Sequence, residues 1–204
     1  MLIDYSMVNP ERCYMPKICS SKLRQAHIDA AQIEFSFLAQ KGVRIEGNVF
    51  SSLLFIKGTS TSGEGTSSKL MDGIEAKALR AAFGALGWPP EDECVLSTLG
   101  EFGDSNHSIL LDPELFRIAV ETIDAEAIVL LDDTAVEAMQ LAYAEELSSI
   151  EDFNVAMLSV GSIAHVLGRR ILALQGFADC LNNSDAKQVM WAYIKKLPPL
   201  SEPY

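Results

Sequence analysis

Cysteine is scarce in this chain. Cys13, Cys19, Cys94 and Cys180 are the only four in 204 residues, and none sits in a Cys-x-x-Cys pair. That excludes a recognisable zinc module or disulfide framework and predicts ordinary reduced thiols. Five residues separate Cys13 from Cys19, the closest two, which is a poor spacing for metal ligands. Histidine is scarcer still, and His27, His107 and His165 are too scattered to be read as a metal set, so neither a metal nor a cofactor is expected. Basic residues are outnumbered: 16 Lys and Arg face 28 Asp and Glu, a formal net charge of −12. Such a field opposes bare nucleic acid, whose affinity for protein comes mainly from cations neutralising phosphate. The two basic pairs, Arg169-Arg170 and Lys195-Lys196, read as solvated surface on so acidic a protein. No apolar run reaches the roughly 18 residues needed to span a bilayer. The start, Met1-Leu2-Ile3-Asp4-Tyr5-Ser6, lacks the basic opening of a secretory signal. The expectation is a cytoplasmic protein without a membrane partner.

What is present is an ordinary globular composition, 49% hydrophobic and 22% charged, long enough for one sizeable core. Residues 1–20 carry two prolines and no sustained period, and read as an irregular N-terminal arm; residues 21–204 read as a single domain. Leu23, Ala26, Ala30, Ile33, Phe37 and Leu38 recur at spacings near three and four, predicting a helix over 21–40 with one buried stripe. A short apolar block at 52–56 predicts a buried strand. It opens into Gly58-Thr59-Ser60-Thr61-Ser62-Gly63-Glu64-Gly65, a glycine-rich loop of the kind that cradles phosphates or bases in open α/β folds.

Asp72 with Glu75 reads as a capping box for a helix that ends at Gly87. Residues 94–99 form the second strand candidate. Asp112-Pro113 is a cap with proline at the first helical position. Residues 127–131 are the clearest buried strand, and Asp132-Asp133-Thr134 cap a helix expected to run to about Glu146. Between 147 and 168 the pattern is weaker, with Val155-Ala156-Met157-Leu158 as a possible strand and 162–167 as a helical turn. Residues 171–174 give a fourth strand and 184–197 a last helix. Strands alternating with helices argue a three-layer α/β/α fold with a mostly parallel four-stranded central sheet.

In this order the chain resembles the uracil-DNA glycosylase superfamily, particularly its small single-domain microbial branch, over roughly residues 43–200. Gly47-Asn48 ahead of the first strand, Ala81 to Leu86 with Gly87 and Trp88 at a helix end, the segment Phe116 to Leu131, and the closing stretch from Arg170 through Leu174 and Trp191 to Leu197 carry the likeness. The resemblance implies a base-excision frame and a ligand site at the loops after the strands. It departs at the chemistry. That branch's first loop reads Gly-Glu-Ala-Pro-Gly with an acid that activates water, whereas Gly58 is followed by Thr59, and the nearest acid, Glu64, is displaced. Thr98 stands where an Asn reads the base edge, and Gln175-Gly176-Phe177 replaces a His-Pro-Ser turn whose imidazole stabilises the departing base.

Losing positioned donors and acids of this kind costs orders of magnitude in rate. The expectation is therefore a catalytically degraded binding or interaction protein, linked to DNA repair or replication. Its partner would be another protein or a nucleobase-like ligand, single-stranded DNA being disfavoured by charge. The candidate ligand-binding residues are Gly58, Thr59, Gly63, Thr98, His107, Gln175 and Phe177. His107 is included because its loop follows the second strand, on the side where parallel sheets bind ligands. The alternative is a surviving DNA glycosylase, a hydrolase of the N-glycosidic bond, with Glu64 as catalytic water activator, Thr98 as base reader and Gln175 as leaving-group donor. A phosphate-loop reading fails, because Glu64 occupies the place of the lysine that must neutralise phosphate.

Overall fold

The structure is a computed structural model and describes residues 17–58, 69–89, 93–100 and 109–200. In chain order the elements are α1 (Lys17–Gln40), β1 (Ile45–Gly47), β2 (Leu53–Lys57), α2 (Gly73–Ala85), β3 (Cys94–Ser97), β4 (Leu99–Gly100), β5 (Ile109–Leu110) and α3 (Pro113–Ile123). They continue with β6 (Ala127–Leu130), α4 (Asp133–Ala142), α5 (Ala144–Ser148), α6 (Phe153–Ala156), β7 (Ile163–Val166), β8 (Arg169–Ala173), α7 (Phe177–Cys180) and α8 (Ser184–Ile194).

The main sheet has six strands in the order β1-β3-β2-β6-β8-β7. Its four inner strands are mutually parallel, with Phe55 opposite Val95 on one side and Val129 on the other, and Val129 opposite Leu172. The outer strands β1 and β7 are antiparallel to their neighbours. The four-stranded expectation thus captures the parallel centre and omits both edges. The inner strands are near-continuous apolar runs because each is covered on both faces. Leu54, Ile56, Leu96, Ile128, Leu130 and Ile171 pack with Phe116 and Val120 of α3 and Met139 of α4. Leu53, Phe55, Val95, Val129 and Leu172 pack on the other face with Leu79 and Phe83 of α2 and Ile194 of α8. The result is three layers, α/β/α.

Caps define where the helices begin. Asp112 accepts the Glu114 and Leu115 amides at 3.0 and 3.4 Å ahead of Pro113, and Asn183 accepts those of Asp185 and Ala186 at 2.9 and 3.2 Å. Several expectations need correction. Helix α1 begins at Lys17, inside the region read as an irregular arm. Its stripe is not buried: Ala26 and Ala30 are exposed, Ile33 and Phe37 are 71% and 51% exposed, and Leu38 at 1% is the residue that docks. Glu75 does not complete a capping box, because its carboxylate is drawn across to Lys57. The helix after Asp132 breaks at Tyr143. Between 147 and 168 the two assignments are reversed, with α6 a helical turn and β7 a strand. Short β7 alternates buried and exposed residues as a half-covered edge should.

Candidate functional site

From β2 the chain crosses through α2 to β3 on one side, and from β3 it crosses back through α3 to β6 on the other. The connections therefore diverge between β2 and β6, and the crevice beyond the carboxyl ends of those two strands is where a fold of this type places a ligand. Gly58 lies there, one residue past β2. Its amide donates to both carboxylate oxygens of Asp132, at 2.9 and 3.1 Å. The same carboxylate caps α4 by accepting the Ala135 amide at 2.8 Å. Asp132, readable in sequence only as a cap, thus also ties the end of β2 to the start of α4.

Thr98 joins this knot from β3. Its amide donates to the Lys57 carbonyl at 3.0 Å, and its carbonyl accepts the Leu111 amide at 2.8 Å. The approach is so close that a Cβ added to Gly58 would lie 2.3 Å from Thr134 Cβ and 2.6 Å from the hydroxyl oxygens of both Thr134 and Thr98. Only glycine fits between those two threonines. Thr98 is fully buried, and its hydroxyl has no hydrogen-bond partner among the described residues.

Next to this knot Lys57 and Glu75 form an ion pair with both side chains almost wholly buried. Sequence reasoning gave Glu75 only a capping role and ended the strand at 56, leaving Lys57 without a role. The available signal was a lysine ending an otherwise apolar strand directly before the glycine loop.

The remaining expected residues disperse. Gln175 follows β8, where its amide nitrogen donates to the Leu158 carbonyl at 3.1 Å; its side-chain oxygen is buried and has no partner among the described residues. Phe177, 4% exposed, begins α7 and belongs to the core on the α2 and α8 face. There it also lines a groove of about 230 Å3 with Ile74, Met190 and Trp191. Thr59, Gly63, Glu64 and His107 lie outside the described residues. The structure therefore brings Gly58 and Thr98 together and leaves Gln175 and Phe177 on other contacts.

Of the two basic pairs, Lys195 and Lys196 are exposed, as expected of solvated surface, whereas Arg169 and Arg170 are not. Arg169 and Arg170 open β8, so they stand at the opposite end of the strands from Gly58. Arg169 bonds Glu121 and Asp124 at 2.8 and 2.7 Å, and Arg170 pairs with Glu126 and donates to the Pro198 carbonyl. Lys196 donates to the Gly161 carbonyl at 2.8 Å, and Lys195 lies over the Trp191 ring. Burial pushes the Cys94 thiol up to about 12, which removes it as a nucleophile. Trp88 is buried and donates to the Leu197 carbonyl at 3.0 Å, a packing role. Among the described residues no three His, Cys, Asp or Glu side chains converge as metal ligands, and no helix is long and apolar enough to cross a membrane. No protein-family model matches the chain, and no curated protein matches it.

Proposed function

We propose that this chain is a uracil-DNA glycosylase-like protein that has given up base excision and acts by binding, with a protein partner or a nucleobase-like ligand in DNA repair or replication. The observation that carries this reading is the occupied switch point. The Asp132 carboxylate is taken by the Gly58 and Ala135 amides, and Gly58 is wedged between Thr98 and Thr134. An acid committed to two backbone amides is poorly placed to activate water, and a crevice base filled by the protein's own side chains leaves little room for a flipped base. The frame that a glycosylase uses for chemistry serves here as a joint. Acidic net charge and internally paired arginines favour a protein partner over DNA.

The alternative, an active glycosylase with Glu64, Thr98 and Gln175 in the roles given above, draws on one observation. Thr98 and Gln175 each hold a buried side-chain oxygen without a partner among the described residues. One experiment separates the two readings. Protein in excess is incubated with a uracil-containing single strand, and abasic sites are revealed by alkaline cleavage. The binding reading predicts no cleavage above the protein-free control. Cleavage at the uracil that rises with protein concentration overturns it.

A further inference from the structure

Helices α2 and α8 cover the same face of the sheet and touch, yet the seam between them is open. Ile74, Ala78 and Ala82 follow one another about a turn apart along α2, and Lys187, Trp191 and Ile194 meet them from α8. The space between is the groove of about 230 Å3 that Phe177 also lines. Helix α2 starts beyond the carboxyl end of β2, and α7 and α8 start beyond that of β8. The groove therefore begins on the side of the sheet where parallel strands bind ligands. It shares no residue with the knot of Gly58, Thr98 and Asp132. Ile74, in the first turn of α2, is 77% exposed there.

Charge marks one end of the groove. Among the described residues that line it Lys187 is the only charged one, and it has no ion-pair partner among them. By contrast Lys57, Arg80, Arg117, Arg169 and Arg170 each hold a carboxylate. The Lys187 charge reaches inside. Burial is the main influence on the Cys180 thiol, which lines the groove, and pushes its pKa up, while Lys187 acts against that rise. Asp179 acts with burial on the same thiol, but it is not part of the lining.

We propose that this groove binds a straight-chain monocarboxylate of about eight carbons, its head on Lys187 and its tail toward Ile194 and Ala82. Length is the first argument. Lys187 to Ile194 on α8 and Ile74 to Ala82 on α2 each span about 10–12 Å at 1.5 Å per residue. An extended eight-carbon acid is about 10 Å long. Volume is the second. The groove holds the share of about eight water molecules, room for roughly ten non-hydrogen atoms and no more. Polarity is the third. Beyond Lys187 the lining is apolar along both helices, so a hydrocarbon tail gains by leaving water and a second charge on the ligand would find no partner. A cation without an acid beside it selects an anion, on a chain whose net charge of −12 repels anions elsewhere.

The test is calorimetric titration of the full chain at pH 7 with octanoate and with octylamine, Trp191 fluorescence giving a second signal. The proposal predicts one saturable octanoate site per chain with a dissociation constant on the order of 100 μM. Octylamine, which the acidic protein as a whole attracts, binds at least about tenfold more weakly because it meets like charge at Lys187. Lys187→Gln weakens octanoate at least about tenfold, and Lys187→Glu makes octylamine the tighter ligand. Ala78→Leu puts a larger side chain into the middle of the groove and weakens octanoate at least about tenfold. Lys41→Gln is the control, the same loss of charge just past α1, which packs beside α3 on the opposite face, and it leaves octanoate binding unchanged. Circular dichroism checks that each variant remains folded. No saturable octanoate binding below about 5 mM overturns the proposal. So does octylamine binding as tightly as octanoate, or parental octanoate affinity in Lys187→Gln.

Discussion

Replacing Gly58 by alanine adds one methyl group at the tightest point of the crevice. The new carbon would meet Thr134 Cβ at 2.3 Å and the Thr134 and Thr98 hydroxyl oxygens at 2.6 Å. These neighbours are not the flexible ends of long side chains: Thr134 lies in the first turn of α4, and Thr98 is fully buried. Relief therefore requires the end of β2 to move away from α4. Overpacking of this kind costs about 1–3 kcal/mol. The movement also stretches the Gly58 amide from the Asp132 carboxylate, a charge-assisted bond worth about 1.5–3 kcal/mol, of which part is lost. About 3 kcal/mol of destabilisation is expected, which lowers the melting temperature of a domain this size by about 6–12 °C. Urea unfolding followed by circular dichroism measures it. Gly84→Ala is the control, because a Cβ at that exposed position in α2 meets nothing within 4 Å. That substitution should stabilise by about 0.5–1 kcal/mol through helix propensity alone. If Gly58→Ala falls within about 0.5 kcal/mol of the parent, the knot is not tight and the account of the crevice fails.

Glu75→Gln leaves the buried Lys57 ammonium without its counter-charge and should cost about 3–5 kcal/mol in the same unfolding assay, with Lys57→Met plus Glu75→Leu recovering most of the loss. Tyr143 is held protonated in the folded state, its pKa raised first by burial and then by the 2.9 Å bond to Glu121. A raised folded pKa contributes stability that is complete below the unfolded value of about 10 and is lost as pH rises beyond it. Tyr143→Phe should therefore cost about 1 kcal/mol at pH 7 and flatten the decline measured between about pH 9 and 11. Arg117 holds the Glu146 carboxylate below its ordinary value, so this surface pair stabilises above that value and weakens as pH falls through it. Glu146→Gln should remove under about 1 kcal/mol and blunt acid sensitivity below about pH 5. Cys94, with its thiol pushed up to about 12, should not react with a thiol reagent at pH 8 until the protein is unfolded.

The central strands could be read because each is a short apolar block that is covered on both faces, as at Ala127-Ile128-Val129-Leu130. The caps at Asp112 and Asp132 could be read because a cap is a local bond, reaching two or three residues along the chain. The joint at the crevice could not, since Gly58 and Asp132 are 74 positions apart and nothing in either segment names the other. Glu75 failed as a capping-box residue for the same reason: an ion pair 18 positions away outcompeted its own helix start. In α1 the period was right and its meaning was not. Spacing reports that Ile33 and Phe37 share a face, but whether that face meets the core, a second chain or water is decided by the rest of the fold. Edge strands β1 and β7 were missed because three or four half-exposed residues carry too little pattern.

The functional reading rests on the crevice being shut by the protein's own Gly58 and Asp132. Native-state amide hydrogen exchange at Gly58 tests that most directly. The account predicts protection comparable to the amides of Val129 and Leu172 in the middle of the sheet, opening only with global unfolding. Exchange at the rate of an exposed loop amide would mean that the Asp132 carboxylate is regularly released toward the crevice, and would contradict it.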